Sequence, residues 1–117
     1  MVPMWIFTPF GFFSVVQKHG NHFLTIRARV REDLDRLRTQ YLPELSPTVE
    51  GAGSDYRYRA TVPHEQLALA MAAIVRDIGY ANFKSAVSES QGPQRSAVYH
   101  EVWDALWQLE RPGADQA

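Results

Sequence analysis

Leu24-Thr-Ile-Arg-Ala-Arg-Val30 alternates apolar and polar residues, and a second stretch, Tyr56-Arg-Tyr-Arg-Ala-Thr-Val62, follows the same pattern. A period of two is what a half-buried β-strand requires. Each stretch follows a shorter apolar run and turn-forming residues, and each precedes a run with helical spacing. The sequence therefore predicts two successive hairpin-helix units.

Two such units predict an α+β fold. The expected architecture is a two-layer sandwich, in which a four-stranded antiparallel sheet carries its helices packed on one face. The two inner strands cover residues 23–30 and 56–62. A further short edge strand at 5–7 could be added to these four, and it would end before Pro9 because proline cannot donate to a ladder.

Helical spacing of apolar residues predicts three helices, at 32–41, 63–78 and 94–110. Glu32 and Asp33 favour the positive end of the first helix dipole. Pro63 is expected at the first helical position of the second helix. Asn82 is a candidate N-cap for a short helical turn that ends near residue 88.

The composition predicts one folded domain. The chain has 117 residues, of which 45% are hydrophobic and 21% are charged, and these are ordinary values for a globular domain. We place the α+β domain at 1–110. The last residues, 111–117, are rich in small and polar types and are predicted to be a disordered tail.

The net charge of −1 argues against a protein that attracts nucleic acid through its overall charge, so any anion site must be local. The chain has no cysteine, which excludes disulfides and thiolate metal sites. Its apolar N-terminal run is shorter than the about 20 residues that span a bilayer, and it lacks the basic start of a signal peptide. We therefore expect a cytoplasmic protein without membrane association.

The alternation predicts four arginines at the solvent-side positions of the two inner strands: Arg27, Arg29, Arg57 and Arg59. Their guanidinium groups converge if the strands are neighbours about 5 Å apart. Such a cluster suits phosphates or carboxylates, because each guanidinium offers a planar fork of donors. The alternative is that these arginines keep the surface soluble and pair with acidic loop residues. Like charges on neighbouring strands repel, so an internal or external anion is expected beside them.

Aromatic residues near the N-terminus extend this face in one interpretation, where Trp5, Phe7, Phe10 and Phe12 would stack bases beside the arginines. In the other interpretation they belong to the core. An exposed aromatic sheet is more often a dimer interface than a nucleic-acid platform. Because 12% of the residues are aromatic and the N-terminal strand is apolar, we predict a homodimer.

Five polar residues of the C-terminal half form a second candidate site: Tyr80, Asn82, Lys84, Tyr99 and His100. They fit either a polar cluster at a helix junction or ordinary buried hydrogen bonding. No Ser, Thr or Lys stands in a nucleophile motif, so no catalytic residue is predicted.

No metal site and no cofactor are predicted. His19 and His22 lie close together in a turn, but neither a carboxylate nor a third ligand is near them in the sequence. The stretch Gly51-Ala-Gly53 lacks the lysine and the following helix of a phosphate-binding loop.

Four segments carry a family resemblance: Trp5-Ile-Phe7, Gly11-Phe-Phe-Ser-Val-Val-Gln17, Tyr80-Ala-Asn-Phe-Lys84 and Tyr99-His-Glu-Val-Trp103. They resemble a family of small, uncharacterised single-domain bacterial proteins. The resemblance covers residues 4–110. It implies a stand-alone bacterial cytosolic domain and brings no activity, ligand or site residue with it.

Three classes of function follow from these observations. The leading interpretation is a non-enzymatic binding or regulatory domain that acts through protein-protein contacts. The alternative is a domain that binds a phosphate ligand or single-stranded nucleic acid through its arginine face. A small enzyme built on the second candidate site is the third.

Overall fold

The computed structural model describes residues 3–18, 22–51 and 55–110. The chain divides into two compact units, Met1–Gly79 and Tyr80–Ala117. The predicted tail at 111–117 lies outside the described residues, and so do His19 and Gly53. The prediction of one domain over 1–110 stays a prediction.

Within the described ranges the first unit contains five strands: β1 (Met4–Thr8), β2 (Gly11–Val16), β3 (Phe23–Ala28), β4 (Val49–Glu50) and β5 (Tyr58–Pro63). They form one antiparallel sheet in the order β1-β2-β3-β5-β4. The α+β class and the antiparallel sheet are thereby confirmed.

The predicted count of four strands differs from the five observed, because the N-terminal segment pairs along its whole length. Its ladder with β2 runs from Met4 opposite Val15 to Thr8 opposite Gly11. The Thr8 hydroxyl closes the turn: it donates to the Gly11 carbonyl at 2.8 Å and accepts from the Gly11 amide at 3.0 Å. A side chain thus supplies the turn hydrogen bonds beside a proline that has no amide to donate.

The helices of the described residues are α1 (Arg31–Gln40), α2 (His64–Arg76), α3 (Phe83–Gln91) and α4 (Pro93–Trp107), and a 3-10 turn covers Gln108–Glu110. The three predicted helices are found, with altered ends. Pro63 was placed wrongly: it still pairs with Phe23 at the end of β5, and so it is the N-cap of α2 and not its first helical residue. None of these helices is long and apolar enough to cross a membrane.

Helices α1 and α2 pack on one face of the sheet. The hydrophobic core joins inward residues of β2, β3 and β5 to the apolar stripes of the two helices. Ile26, Leu34 and Val62 are completely buried within it. The cluster comprises mainly Phe13, Val15, Ile26, Ala28, Ala60 and Val62 from the strands, and Leu34, Leu37, Leu67 and Ala70 from the helices.

A buried carboxylate joins α1 to the turn between β1 and β2. Asp33 is 1% exposed, and it accepts hydrogen bonds from the Phe12 amide at 3.0 Å and from Arg36 at 2.9 Å. Arg36 also donates to the Phe10 carbonyl at 2.8 Å. The ladder between β2 and β3 ends where Ser14 pairs with Arg27, so Asp33 provides the acceptor that β3 does not offer to Phe12. We call this arrangement the Asp33 clasp.

The second unit is an antiparallel pair formed by α3 and α4. Gly92 connects them with a φ of 94°, a conformation that a residue with a side chain rarely adopts. The rings of Phe83 and Tyr99 stack with centroids 6.1 Å apart, and the Ser96 hydroxyl donates to the Lys84 carbonyl at 3.3 Å. Val87 of α3 is completely buried.

Candidate binding face

One row of side chains crosses the whole sheet on the face opposite the core. In register, Trp5 pairs with Ser14, Ser14 with Arg27, Arg27 with Arg59, and Arg59 with Val49. Residues that pair directly across strands point to the same side of a sheet. We call this side the open face, because α1 and α2 pack on the other one, although Ser14 and the Nε atoms of Arg27 and Arg59 are buried on it.

The β1 and β2 end of the open face is aromatic. The ring of Phe12 stacks on Phe7 at 4.5 Å and meets Trp5 edge-on at 5.8 Å. Trp5 is 58% exposed at the edge of the sheet. Phe10, the fourth aromatic residue predicted for this face, is buried in the core instead, because it lies in the turn and not in a strand.

Tyr56 connects this aromatic end to the arginines. Its ring lies 6.5 Å from that of Phe12, and the guanidinium carbons of Arg27 and Arg29 each lie 4.5 Å from its centroid. Arg27 also donates to the Ser14 hydroxyl at 2.8 Å. A ring face attracts cations, so Tyr56 offsets part of the repulsion between the two guanidinium groups.

The predicted cluster of four arginines contains three. Arg59 faces Arg27 across the ladder and donates to the Tyr56 carbonyl at 3.3 Å. Arg57 is directed elsewhere: it binds Glu50 at 3.0 Å, and Glu50 pairs with Tyr58 on the core side of the sheet. The convergence of Arg57 with the other arginines was therefore predicted wrongly.

The error has a physical cause in the start of β5. The strict alternation of sides holds only inside a ladder, and this ladder begins at Tyr58. Tyr56 and Arg57 precede it and lie on the sides opposite to those that the alternation predicts. Tyr56 consequently reaches the open face, and Arg57 reaches Glu50.

Two of the three clustered arginines have no acidic partner in the described ranges. The salt bridges there include neither Arg27 nor Arg29, whose polar contacts are with Ser14 and with the Tyr56 ring. Glu50 of β4 is already shared by Arg31 and Arg57. The predicted pairing with internal acids therefore holds for Arg57 and is not seen for Arg27 and Arg29.

The hydrogen bonds from Arg31 and Arg57 lower the pKa of Glu50 below its usual 4.5. Because the folded-state pKa is depressed, these ion pairs stabilise the fold above the unfolded-state pKa, and their contribution is lost as the pH falls through the folded-state pKa. We expect Arg57→Gln to move the pKa of Glu50 back toward 4.5, as measured by carboxyl NMR titration. Arg76→Gln, an exposed change in α2, is the control. An unchanged midpoint in Arg57→Gln would contradict the assignment.

The five polar residues of the second candidate site are not gathered into one cluster. Asn82 is the N-cap of α3, as predicted, and accepts from the Ser85 amide at 2.9 Å. The ring of Tyr80 lies 6.1 Å from that of Phe83. These two residues have local structural contacts.

Lys84 and His100 do come together. The Lys84 ammonium nitrogen lies 3.0 Å from His100 Nδ1, and His100 Nε2 lies 3.6 Å from Asp104. Tyr99 is buried, and its hydroxyl accepts from Arg95 at 3.2 Å. The structure therefore brings Lys84 and His100 of the predicted cluster into contact.

The histidines near the N-terminal turn have other contacts. His64 bonds the His22 carbonyl through Nδ1 and the Gln17 side chain through Nε2, both at 2.8 Å. Among the residues that the structure describes, no group of three histidines or acidic side chains is placed to hold a metal ion.

A scan against protein-family models and searches of curated proteins and of solved structures found no match to this chain. The resemblance to a bacterial family therefore stays a prediction. The fold and the open face define a general class: an α+β domain whose antiparallel sheet presents aromatic and arginine side chains on one face.

Proposed function

We propose that this protein is a non-enzymatic binding domain whose open face receives an acidic segment of a partner protein. The observation that carries the proposal is that Arg27 and Arg29 share the ring of Tyr56 and have no carboxylate partner in the described ranges. A carboxylate from a partner would relieve the repulsion between them through charge-assisted hydrogen bonds. The proposal retains the predicted two-layer sandwich and cytoplasmic location as expectations.

The aromatic residues favour a protein segment over a nucleic acid. Nucleic-acid platforms stack successive bases on exposed rings. Tyr56 is only 5% exposed and already carries two guanidinium groups, and Phe7 and Phe12 stack on each other. A partner protein does not need several free rings, because one of its apolar side chains can pack against the exposed Trp5 at the edge of the sheet.

Single-stranded nucleic acid is the second candidate, because Arg27 and Arg29 would also suit phosphates. The two candidates differ in their response to salt. Each phosphate contact releases condensed counterions, so nucleic-acid affinity should fall steeply with ionic strength.

The test uses two fluorescein-labelled probes, a peptide of alternating glutamate and phenylalanine and an oligothymidylate. We expect the peptide to bind, and the double variant Arg27→Gln/Arg29→Gln to bind it at least about tenfold more weakly. Arg57→Gln is the matched control, since Glu50 already pairs with this arginine. It should bind the peptide as the unmodified protein does. Fluorescence anisotropy measures the affinity of each protein for each probe.

Three outcomes overturn the proposal. Equal peptide affinity in the double variant and the unmodified protein would remove Arg27 and Arg29 from the binding site. If the oligothymidylate binds more tightly than the peptide and its affinity falls steeply with salt, the open face is a nucleic-acid binding site. A large fall in the melting temperature of the double variant would show that Arg27 and Arg29 stabilise the fold and are structural.

A further inference from the structure

Helix α4 extends past α3, and its apolar face continues without cover. The α3 helix has 9 residues and α4 has 15, which correspond to lengths of about 14 Å and about 22 Å. In the first half of α4, Ser96 and Tyr99 are buried. Trp103, Leu106 and Trp107 follow Tyr99 at helical spacing on the same face, and they are 54%, 58% and 50% exposed.

The exposed side chains form a continuous ring surface. The ring of His100 stacks on Trp103 at 5.5 Å, and Trp103 stacks on Trp107 at 5.7 Å. Exposed apolar patches of this kind mark interaction sites, and tryptophan is enriched among the residues that dominate binding energy.

Charges of opposite sign flank this surface. Lys84 is exposed beside His100 at one end, and Glu110 is exposed in the 3-10 turn at the other. Within the described ranges, no salt bridge engages Lys84 or Glu110. Of the other acids of α4, Asp104 lies on the flank of the ring surface, 3.6 Å from His100 Nε2, and Glu101 lies on the opposite side by helical spacing.

The surface is complementary to itself in an antiparallel arrangement. If a two-fold axis passes between Trp103 and Trp107, each of these residues lies opposite the other one in a second copy. The same axis places Glu110 of one copy opposite the Lys84 and His100 end of the other. A two-fold interface of this type is closed, because each copy uses the same patch.

We propose that two copies of this protein pair through antiparallel α4 helices, with reciprocal Trp103–Trp107 contacts and with Lys84 of each copy beside Glu110 of the other. This inference locates the predicted homodimer on α4 and not on the N-terminal strand. It rests on the second unit alone and is independent of the function proposed for the open face.

The expected dimer is weak. A standard interface covers about 800 Å² of each partner, and a contact one helix wide covers less. We therefore expect dissociation in the range of about 10–100 µM, which corresponds to about −7 to −5 kcal/mol. Sedimentation velocity across this concentration range measures it.

A charge exchange tests the arrangement. Lys84→Glu and Glu110→Lys should each weaken the dimer about threefold or more, and the double variant should regain the original affinity, since opposite charges again meet. Trp107→Ala should weaken it at least about tenfold, because a buried tryptophan commonly dominates an interface. Leu69→Ala is the control: it truncates an exposed apolar side chain of α2, which is 63% exposed, and should leave the dimer affinity unchanged.

The outcomes separate this proposal from that for the open face. If the double charge variant regains the original dimer affinity and all variants have normal circular dichroism spectra, the α4 pair is supported. A monomer throughout the concentration range overturns it, as does a dimer that Trp107→Ala leaves intact. Dissociation by Arg27→Gln/Arg29→Gln but not by Trp107→Ala would assign the dimer contact to the open face instead.

Discussion

Asp33→Ala is expected to lower the free energy of unfolding by about 1–3 kcal/mol, the cost of leaving a buried donor without its acceptor, because Arg36 is 32% exposed and can be hydrated once its carboxylate partner is gone. The Asp33 carboxylate is the acceptor for the Phe12 amide and for Arg36. Alanine would leave that amide without this acceptor at the end of the ladder and would remove the counter-ion at 2.9 Å from Arg36. Urea unfolding monitored by tryptophan fluorescence measures the difference.

Glu32→Ala is the matched control, because Glu32 stands in the same first turn of α1 but is exposed. Its loss should stay below about 1 kcal/mol, the range of a helix-dipole interaction. Asp33→Asn keeps the size of the side chain and one acceptor oxygen, so it should fall between the two. Equal losses in Asp33→Ala and Glu32→Ala would show that the Asp33 clasp does not stabilise the fold.

The Asp33 clasp also connects the core to the open face. The same residue, Phe12, gives its amide to Asp33 and its ring to the stack with Phe7, Trp5 and Tyr56. The position of that ring is therefore fixed by α1 through the backbone of β2. Variants of Asp33 should consequently disturb probe binding at the open face even at temperatures where the protein remains folded.

Local patterns in the sequence predict the regular elements well. The alternation of Ile26 and Ala28 with Arg27 assigns the two sides of β3 correctly, because this strand is paired on both edges. The cap at Asn82 is also a local signal, since its side chain needs only the amide of Ser85. The sides of β3 follow from a fixed period of two, and the Asn82 cap depends on a residue three positions away in the sequence.

The remaining features depend on where elements end in space. Asp33 and Glu32 are equivalent as acids of a first turn, and only the packing of α1 on the β1–β2 turn distinguishes the buried one. Tyr56 reaches the open face because the ladder begins two residues later. The uncovered end of α4 follows from the shorter length of α3. No periodicity in one segment carries this information.

Gly11→Ala should destabilise the fold by about 1–3 kcal/mol, the usual range for overpacking a core. A Cβ at this position would lie 2.9 Å from Asp33 Cβ and Cγ and from the Phe13 ring. Asp33 cannot retreat without loosening its hydrogen bond to the Phe12 amide, so the strain and the Asp33 clasp are coupled. Gly79→Ala is the control, because its nearest contact is a carbonyl oxygen at 4.0 Å. Urea unfolding measures the free energy of unfolding of both variants. Equal values would contradict the prediction, because they would mean that the β1–β2 turn moves away from α1 at no cost in stability. In combination with Asp33→Ala, which removes Cγ, the loss from Gly11→Ala should be smaller than in the unmodified background.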